Sequence, residues 1–327
     1  MKHVFVHRRH CLHGLAAAAL AAAGLPARAQ QDRITRIVVA FPPGGPVDFV
    51  ARAIAEQLGK EIGHQVIVEN KAGANGGIAA EYVSRSAPDA QTLWLTSVGA
   101  VAINPSLYEK LMYDPAKDLT PVSLVVRNVE VLVVGANAPY NTGAEFVAAA
   151  RKSKQPLTLA SSGTGSVPHL AMELLSDAAK TPLLHVPYKG AAPAITDVLA
   201  GHVDGFFGDI PGLLPFITSR KLKPIGIAAS KRHPLLPEVK TFQEMGIPGV
   251  DSDNWYALFA AKGTPAGVAD AMNQALRRTL ANEGVKSRLM ASGAEPTPSS
   301  PAELSALLAR DSAKWGAVVR AKKIKPD

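Results

Sequence analysis

The stretch that decides the fold runs from Ile37 to Leu58 and reads IVVAFPPGGPVDFVARAIAEQL. A β-branched apolar run, Ile37-Val38-Val39, ends in the loop Phe41-Pro42-Pro43-Gly44-Gly45-Pro46. Phe49, Val50, Ala53, Ile54 and Leu58 then recur at helical spacing. A strand, a glycine turn and a helix start aim several backbone N–H groups at one point, where the helix dipole also favours negative charge. The segment therefore predicts an anion site made by backbone rather than by a charged side chain. The arrangement returns at Ala160-Ser161-Ser162-Gly163-Thr164-Gly165-Ser166-Val167-Pro168-His169. Here serine and threonine hydroxyls add to the backbone donors. One such loop is equally well a tight turn with a cap; two in corresponding places point to a shared anion site.

Working outward, strand and helix patterns alternate along the whole chain, which predicts an α/β fold with largely parallel sheets. Strands are expected over 34–40, 65–69 and 92–96, with helices over 48–58 and 77–86 between them. Residues 122–126 and 130–134 form one apolar run broken only by Arg127 and Asn128. A second series follows, with strands over 157–160, 184–187, 203–207 and 222–229 and helices over 168–179 and 192–200. Thr142 to Glu145 and Ser300 to Glu303 have the spacing of capping boxes, Thr241 to Glu244 caps a short turn, and Thr264-Pro265 reads as a helix start. After a strand over 255–260, the C-terminal helices have no strands of their own to cover. They are expected to pack on the first series, which makes that lobe discontinuous. Lobe one then comprises residues 30–130 and 255–327, lobe two residues 131–254. The chain crosses between them near 127–134 and 253–259, and ligands bind preferentially in such a cleft.

The first 29 residues are expected to be a cleaved leader. Lys2, Arg8 and Arg9 precede a short Ala/Leu run, and Ala27-Arg28-Ala29 fits the small-x-small rule for cleavage before Gln30. The run is too short for a stable membrane anchor. The net charge of +8 falls to +4 once Lys2, Arg8, Arg9 and Arg28 leave, which is no nucleic-acid footprint. The single cysteine, Cys11, leaves as well, so the mature protein has neither disulfide nor thiol chemistry. The expectation is an exported protein held together by its core alone.

The glycine loops fit neither a P-loop nor the dinucleotide Gly-x-Gly-x-x-Gly, because Pro168 stands where the last glycine belongs. Ser166 is not in a Gly-x-Ser-x-Gly elbow. A carboxylate is thus a better ligand than a nucleotide. Asp48, at the start of the first helix, reads as dipole compensation or capping ahead of ligand contact. Asn75, in the loop Gly73-Ala74-Asn75-Gly76-Gly77, either faces the cleft or makes a turn, and Ser97 either donates a hydroxyl or caps its own loop. His169 has no acid or nucleophile beside it in sequence. His64, His169, His185, His202 and His233 show no metal-ligand spacing. Asp209 can face the cleft, where it would receive a ligand's ammonium, whereas Asp204 reads as a solvated or capping acid. No catalytic constellation, cofactor motif or metal site emerges.

The ordered set FPPGGPVDFVAR, VIVENKAGANGGIAAEYVSRSAPDAQTL, SSGTGSVPHLAMELL, HVPYKGAAPAITDVLAGHVD and WYALFAAKGTPAGV resembles the Bug family, the periplasmic solute-binding proteins of tripartite tricarboxylate transporters. The resemblance implies a two-lobed, type II-like Venus-flytrap with two crossover strands. It also implies a small carboxylate in the interlobe cleft and the transporter's membrane subunits as partners, with a monomeric receptor. Carried onto this sequence, the family's binding loops fall on Phe41, Pro42, Gly44, Gly45, Val47 and Asp48. On the other lobe they fall on Ser161, Ser162, Gly163, Thr164, Gly165, Ser166 and His169, with Asp209 as the acidic residue of the cleft. Val47 stands where relatives often carry Thr or Ser, which removes one hydroxyl donor. Ala72, Ala74, Ile78-Ala79 and Ala90-Gln91 are further departures. The competing readings are a periplasmic sensor module with the same site and an exported hydrolase using His169 and a loop serine.

Overall fold

The computed structural model describes residues 33–326; the leader expected over residues 1–29 lies outside the described residues. Strand β1 (Ile34–Val39) divides its side chains between two cores. Ile37 and Val39 enter one and Val38 the other, as the two-residue period of a strand covered on both faces requires. Helix α1 (Pro46–Ile62) follows. It starts two residues before the expected position, because Pro46 at the first helical position is already set for helix, and Gly63 ends it in the left-handed region. β2 (Gln65–Asn70), α2 (Gly77–Ser84), β3 (Thr92–Ser97), the short α3 (Asn104–Leu107) and β4 (Leu119–Asn128) complete the first series.

The chain crosses to a second sheet at Val129. That series contains β5 (Glu130–Gly135), α4 (Gly143–Lys152), β6 (Leu157–Ser161), α5 (Val167–Ala179), β7 (Leu183–Pro187), α6 (Ala191–Ala200), β8 (Gly205–Asp209), α7 (Ile210–Thr218) and β9 (Leu222–Ile227). The return crossing leads into β10 (Asn254–Ala261), back in the first sheet. Helices α8 (Ala266–Ala281), α9 (Glu283–Ser292) and α10 (Pro301–Lys322) then pack against the first sheet, with the two-residue β11 (Glu295–Pro296) on its edge. The strand orders are β11-β4-β10-β3-β1-β2 and β7-β6-β8-β5-β9.

The sheets are mixed rather than largely parallel. β1 runs parallel to β2 and β3, and β6 to β7 and β8, through helical crossovers. β10 is antiparallel to β3 and β4, and β5 to β8 and β9. These two strands enter their sheets from the opposite lobe, without a helix to turn the chain back, and so lie against the local direction.

Three helices escape the sequence reading: the one-turn α3 is too short to show a period, and α7 and α9 are hidden for local reasons. In α7, Pro211, Gly212 and Pro215 mask the helical pattern. α9 is capped by Asn282, whose side chain accepts from the N–H groups of Gly284 and Val285. Two capping assignments also change. The Thr142 hydroxyl accepts from the Glu145 N–H, but the Glu145 carboxylate takes the N–H of Asn141. The Thr264 hydroxyl donates to the Ala261 carbonyl and leaves Pro265 as the cap. Both halves of the Ser300–Glu303 box form. α10 sinks Leu304, Leu307, Leu308, Trp315 and Val319 into the core that holds Val38, Trp94 and Trp255. Asn273 ties this region down by donating to the carbonyls of Val122 and Ser299. Ser300→Ala is expected to cost about 1 kcal/mol, read as a lower urea midpoint with an unchanged slope.

Candidate functional site

Four helices start on one cleft between the sheets. α1 begins after Gly45, α5 after Ser166, α6 after Gly190 and α7 after Asp209. The leading N–H groups of a helix have no acceptor within it, so the cleft gathers donors from both lobes. Its volume is about 510 Å³ with the solvent mouth included. Its lining includes Phe41, Pro42, Gly45, Val47, Ser97, Ser162, Ser166 and Asp209, all singled out in the sequence. It also includes Pro46, Val167, Pro168, Ala191, Ala192, Phe206, Gly208, Asn254 and Tyr256, which were not. Among the described residues that line it there is no lysine, arginine or histidine.

The remaining sequence candidates stand behind the wall and hold it in shape. Asp48 accepts from the Gly44 N–H at 3.0 Å, Arg52 Nε at 2.9 Å and Asn70 Nδ2 at 2.9 Å. Burial pushes its carboxyl up, but these three bonds outweigh it and hold the group below the usual range. Asp48 thus braces the first loop and takes up Gly44's N–H. Asn75 Nδ2 donates to Asn104 Oδ1 and, across the lobes, to the Gly165 carbonyl at 3.0 Å. It is a strut between lobes rather than part of the lining.

In the second loop, Ser161 Oγ bonds His185 Nε2 at 2.6 Å and accepts from the Gly163 N–H. Thr164 is buried in the same loop. His169 Nδ1 accepts from the Gly165 N–H at 3.1 Å, so its proton sits on Nε2. Its ring stacks on His185 at 3.6 Å between centroids. Burial, with His185 adding to it, drives the His169 pKa down to about 3. The ring is a neutral acceptor locked in the loop, which suits positioning and not proton transfer. Ser166 caps α5 by accepting from the His169 N–H and still reaches the cleft.

The lobes meet closely. Gly190 lies where an added Cβ would stand 2.8 Å from Pro42 Cδ. At Gly165 (φ +76°) it would stand 2.3 Å from Leu107 Cδ2. Outside the cleft, Lys322 of α10 pairs with Asp177 and Glu173 of α5.

At the base of the cleft, Asp209 accepts from Tyr256 Oη and, through both oxygens, from Asn254 Nδ2 at 3.0 and 3.1 Å. Asn254 is oriented by the Trp255 N–H, which donates to its Oδ1 at 2.9 Å. Glu130 faces Asp209 in register between β5 and β8. Burial raises Asp209 to about 6 despite the bonds from Tyr256 and Asn254. Burial and the neighbouring Asp209 charge push the Glu130 carboxyl well above the carboxylate range. Burial and the same charge raise the Tyr256 hydroxyl, which stays a donor.

Sequence reasoning missed Asn254, Tyr256 and the start of α6. The signals were present. Pro187-Tyr188-Lys189-Gly190 repeats the strand–glycine–helix pattern, and Asn254 and Tyr256 alternate on one face of an otherwise apolar strand. Among the described residues, no three His, Cys, Asp or Glu side chains are grouped to hold a metal ion, and no helix is long and apolar enough to cross a membrane.

Two α/β lobes joined by two crossings, with helix starts converging on the cleft between them, are the build of a two-lobed periplasmic solute-binding protein. The chain belongs to the TctC family, described as the tripartite tricarboxylate transporter family receptor, which matches residues 50–324. It is 32% identical over 306 residues to BugT of Bordetella pertussis, covering 92% of this chain and 94% of that protein. MatC from Rhodopseudomonas palustris, solved with bound malate, superposes with a TM-score of 0.83 at 34% identity, covering 88% of this chain and 99% of MatC. An R. palustris protein solved with adipate superposes at 0.87 and 31% identity, covering 90% and 99%. Family and fold are those of binding receptors, not enzymes, which sets aside the hydrolase reading.

The lowered His169 pKa sets a sign for acid stability. The unfolded state binds more protons, so the contribution is complete above pH 6.5 and is lost as the pH falls through 6.5 towards 3. The slope approaches about 1.4 kcal/mol per pH unit. Asp209, raised to about 6, works in the opposite direction below that pH. His169→Gln should therefore reduce the loss of stability between pH 6.5 and 5 in urea titrations, and the half-buried His233, whose pKa burial also lowers, accounts for a remaining part of it.

Proposed function

We propose that this receptor captures a small carboxylate in the interlobe cleft and delivers it to the membrane subunits of a tripartite tricarboxylate transporter. The observation that carries this reading is the meeting of the α1, α5 and α6 starts with the hydroxyls of Ser97, Ser162 and Ser166, where no basic side chain among the described residues lines the cleft. Helix N-termini favour an anion through N–H donors and the dipole together, and charge-assisted bonds to a carboxylate are the strong ones. The relatives solved with malate and adipate bind carboxylates, which supports the same class here.

Phe41, Pro42, Gly45, Val47, Ser97, Ser162 and Ser166 act directly on the ligand in this reading. Gly44, Asp48, Asn75, Ser161, Gly163, Thr164, Gly165 and His169 shape the two loops. The two lobes divide as residues 30–130 with 255–327 and residues 131–254. The mature receptor is a periplasmic monomer released by cleavage near Ala29. Ligand binding shifts the population towards the closed pair of lobes, which is the form the membrane subunits read.

A panel of small mono- and dicarboxylates in a thermal-shift assay tests this. A ligand at about 100 times its Kd adds roughly 2.7 kcal/mol of stability, and no rise with any carboxylate would sink the reading. Gly165→Ala places a methyl group against Leu107 across the closed cleft. It should weaken binding of the best carboxylate at least tenfold while leaving the circular dichroism spectrum unchanged.

A further inference from the structure

Resting on that carboxylate reading, we infer that the cleft serves one carboxylate only, and that its ligand is a monocarboxylate with an apolar body. The donors of the cleft are already divided. Tyr256 Oη and Asn254 Nδ2, the polar side chains of β10 that line it, both point at Asp209. The start of α7 offers nothing to an anion, because Asp209 itself is its cap residue and sits against its dipole. Asp48 in the first turn of α1 is paired with Arg52 behind the wall and leaves that start open. What remains are three helix starts and three serine hydroxyls, enough to surround a single carboxylate.

A second carboxylate on the same ligand would have no partner. Lysine, arginine and histidine are absent from the described lining, and the one charged side chain in it is the acid Asp209. A distal anion in the same cleft meets that like charge, and a like charge without a basic partner rejects wrong ligands. The rest of the wall is apolar. Phe41, Val47, Val167 and Phe206, with the rings of Pro42 and Pro168, suit a hydrocarbon body. Val47 belongs to this surface: it is 4% exposed, packs into the core beneath the first loop and offers no hydroxyl.

Diacids and their half-esters separate the charge from the shape of the ligand. Isothermal titration of the wild-type mature protein at pH 7.5 would compare succinate with monomethyl succinate and adipate with monomethyl adipate, with benzoate and isovalerate as simple apolar monocarboxylates. A half-ester or simple monocarboxylate should bind roughly a hundredfold more tightly than either diacid. In Asp209→Asn the gap between diacid and half-ester should narrow, with the half-ester affinity changed less than the diacid affinity. A diacid that binds the wild type as tightly as its half-ester and the monocarboxylates overturns the inference and leaves the carboxylate reading standing. If none of the six binds, and the wider carboxylate panel gives no thermal shift, the carboxylate reading itself falls. Should Asp209→Asn fail to fold, the half-ester comparison on the wild type decides alone.

Discussion

The bond between Asp209 and the pair Asn254 and Tyr256 is the constraint on which the rest of this structure depends. Asp209 ends β8 in one sheet, and its partners sit on β10 in the other. A buried carboxylate without donors would be costly, so the two strands are obliged to meet where these side chains meet. That meeting point is both the base of the cleft and the place where the chain returns between lobes. Glu130, its carboxyl pushed up by burial and by the Asp209 charge, lies beside it at the outgoing crossing. The polar knot therefore fixes the relation of the two sheets at the crossings, together with Val167 and Leu170 of α5, which sink into the core of the first sheet.

Around this knot, the division of labour is between backbone and side chains. The cleft presents helix starts and small hydroxyls, and the charged or titratable groups of both loops are turned inward to hold those starts in place. Asp48 spends its oxygens on Gly44, Arg52 and Asn70. His169 spends its one acceptor on Gly165. Substituting such a residue would alter the shape of the cleft without removing any side chain that lines it. The same division explains why the site holds no catalytic set: its titratable groups are committed to one another.

Much of this was legible in the sequence because it lives in local patterns. The run Ile37 to Leu58 encodes a buried strand, a turn and a helix in consecutive residues, and the second loop repeats it. The Ser300–Glu303 box needs only three-residue spacing. What was not legible depends on residues distant in sequence. The antiparallel entry of β5 and β10 follows from the path between lobes, not from the residues of either strand. Tyr256 and Asn254 read as parts of an apolar strand until Asp209, more than forty residues earlier, is brought against them. Helix α7 was hidden for a local reason, since Pro211, Gly212 and Pro215 argue against a helix that tertiary packing nevertheless forms.

The contacts between lobes outside the cleft have a consequence of their own. Asn75 bonds the Gly165 carbonyl, and Lys322 bonds Asp177 and Glu173, without any atom of a ligand. These bonds hold the lobes in the arrangement seen here and involve none of the residues that line the cleft. Occupancy is therefore signalled only by the difference in affinity between the open and closed arrangements. Every polar bridge of this kind favours the lobe arrangement seen here, and so reduces the share of that balance left for anything in the cleft to decide. The number of such bridges is a setting of the device's contrast, adjustable on its outer surface with the binding chemistry left untouched.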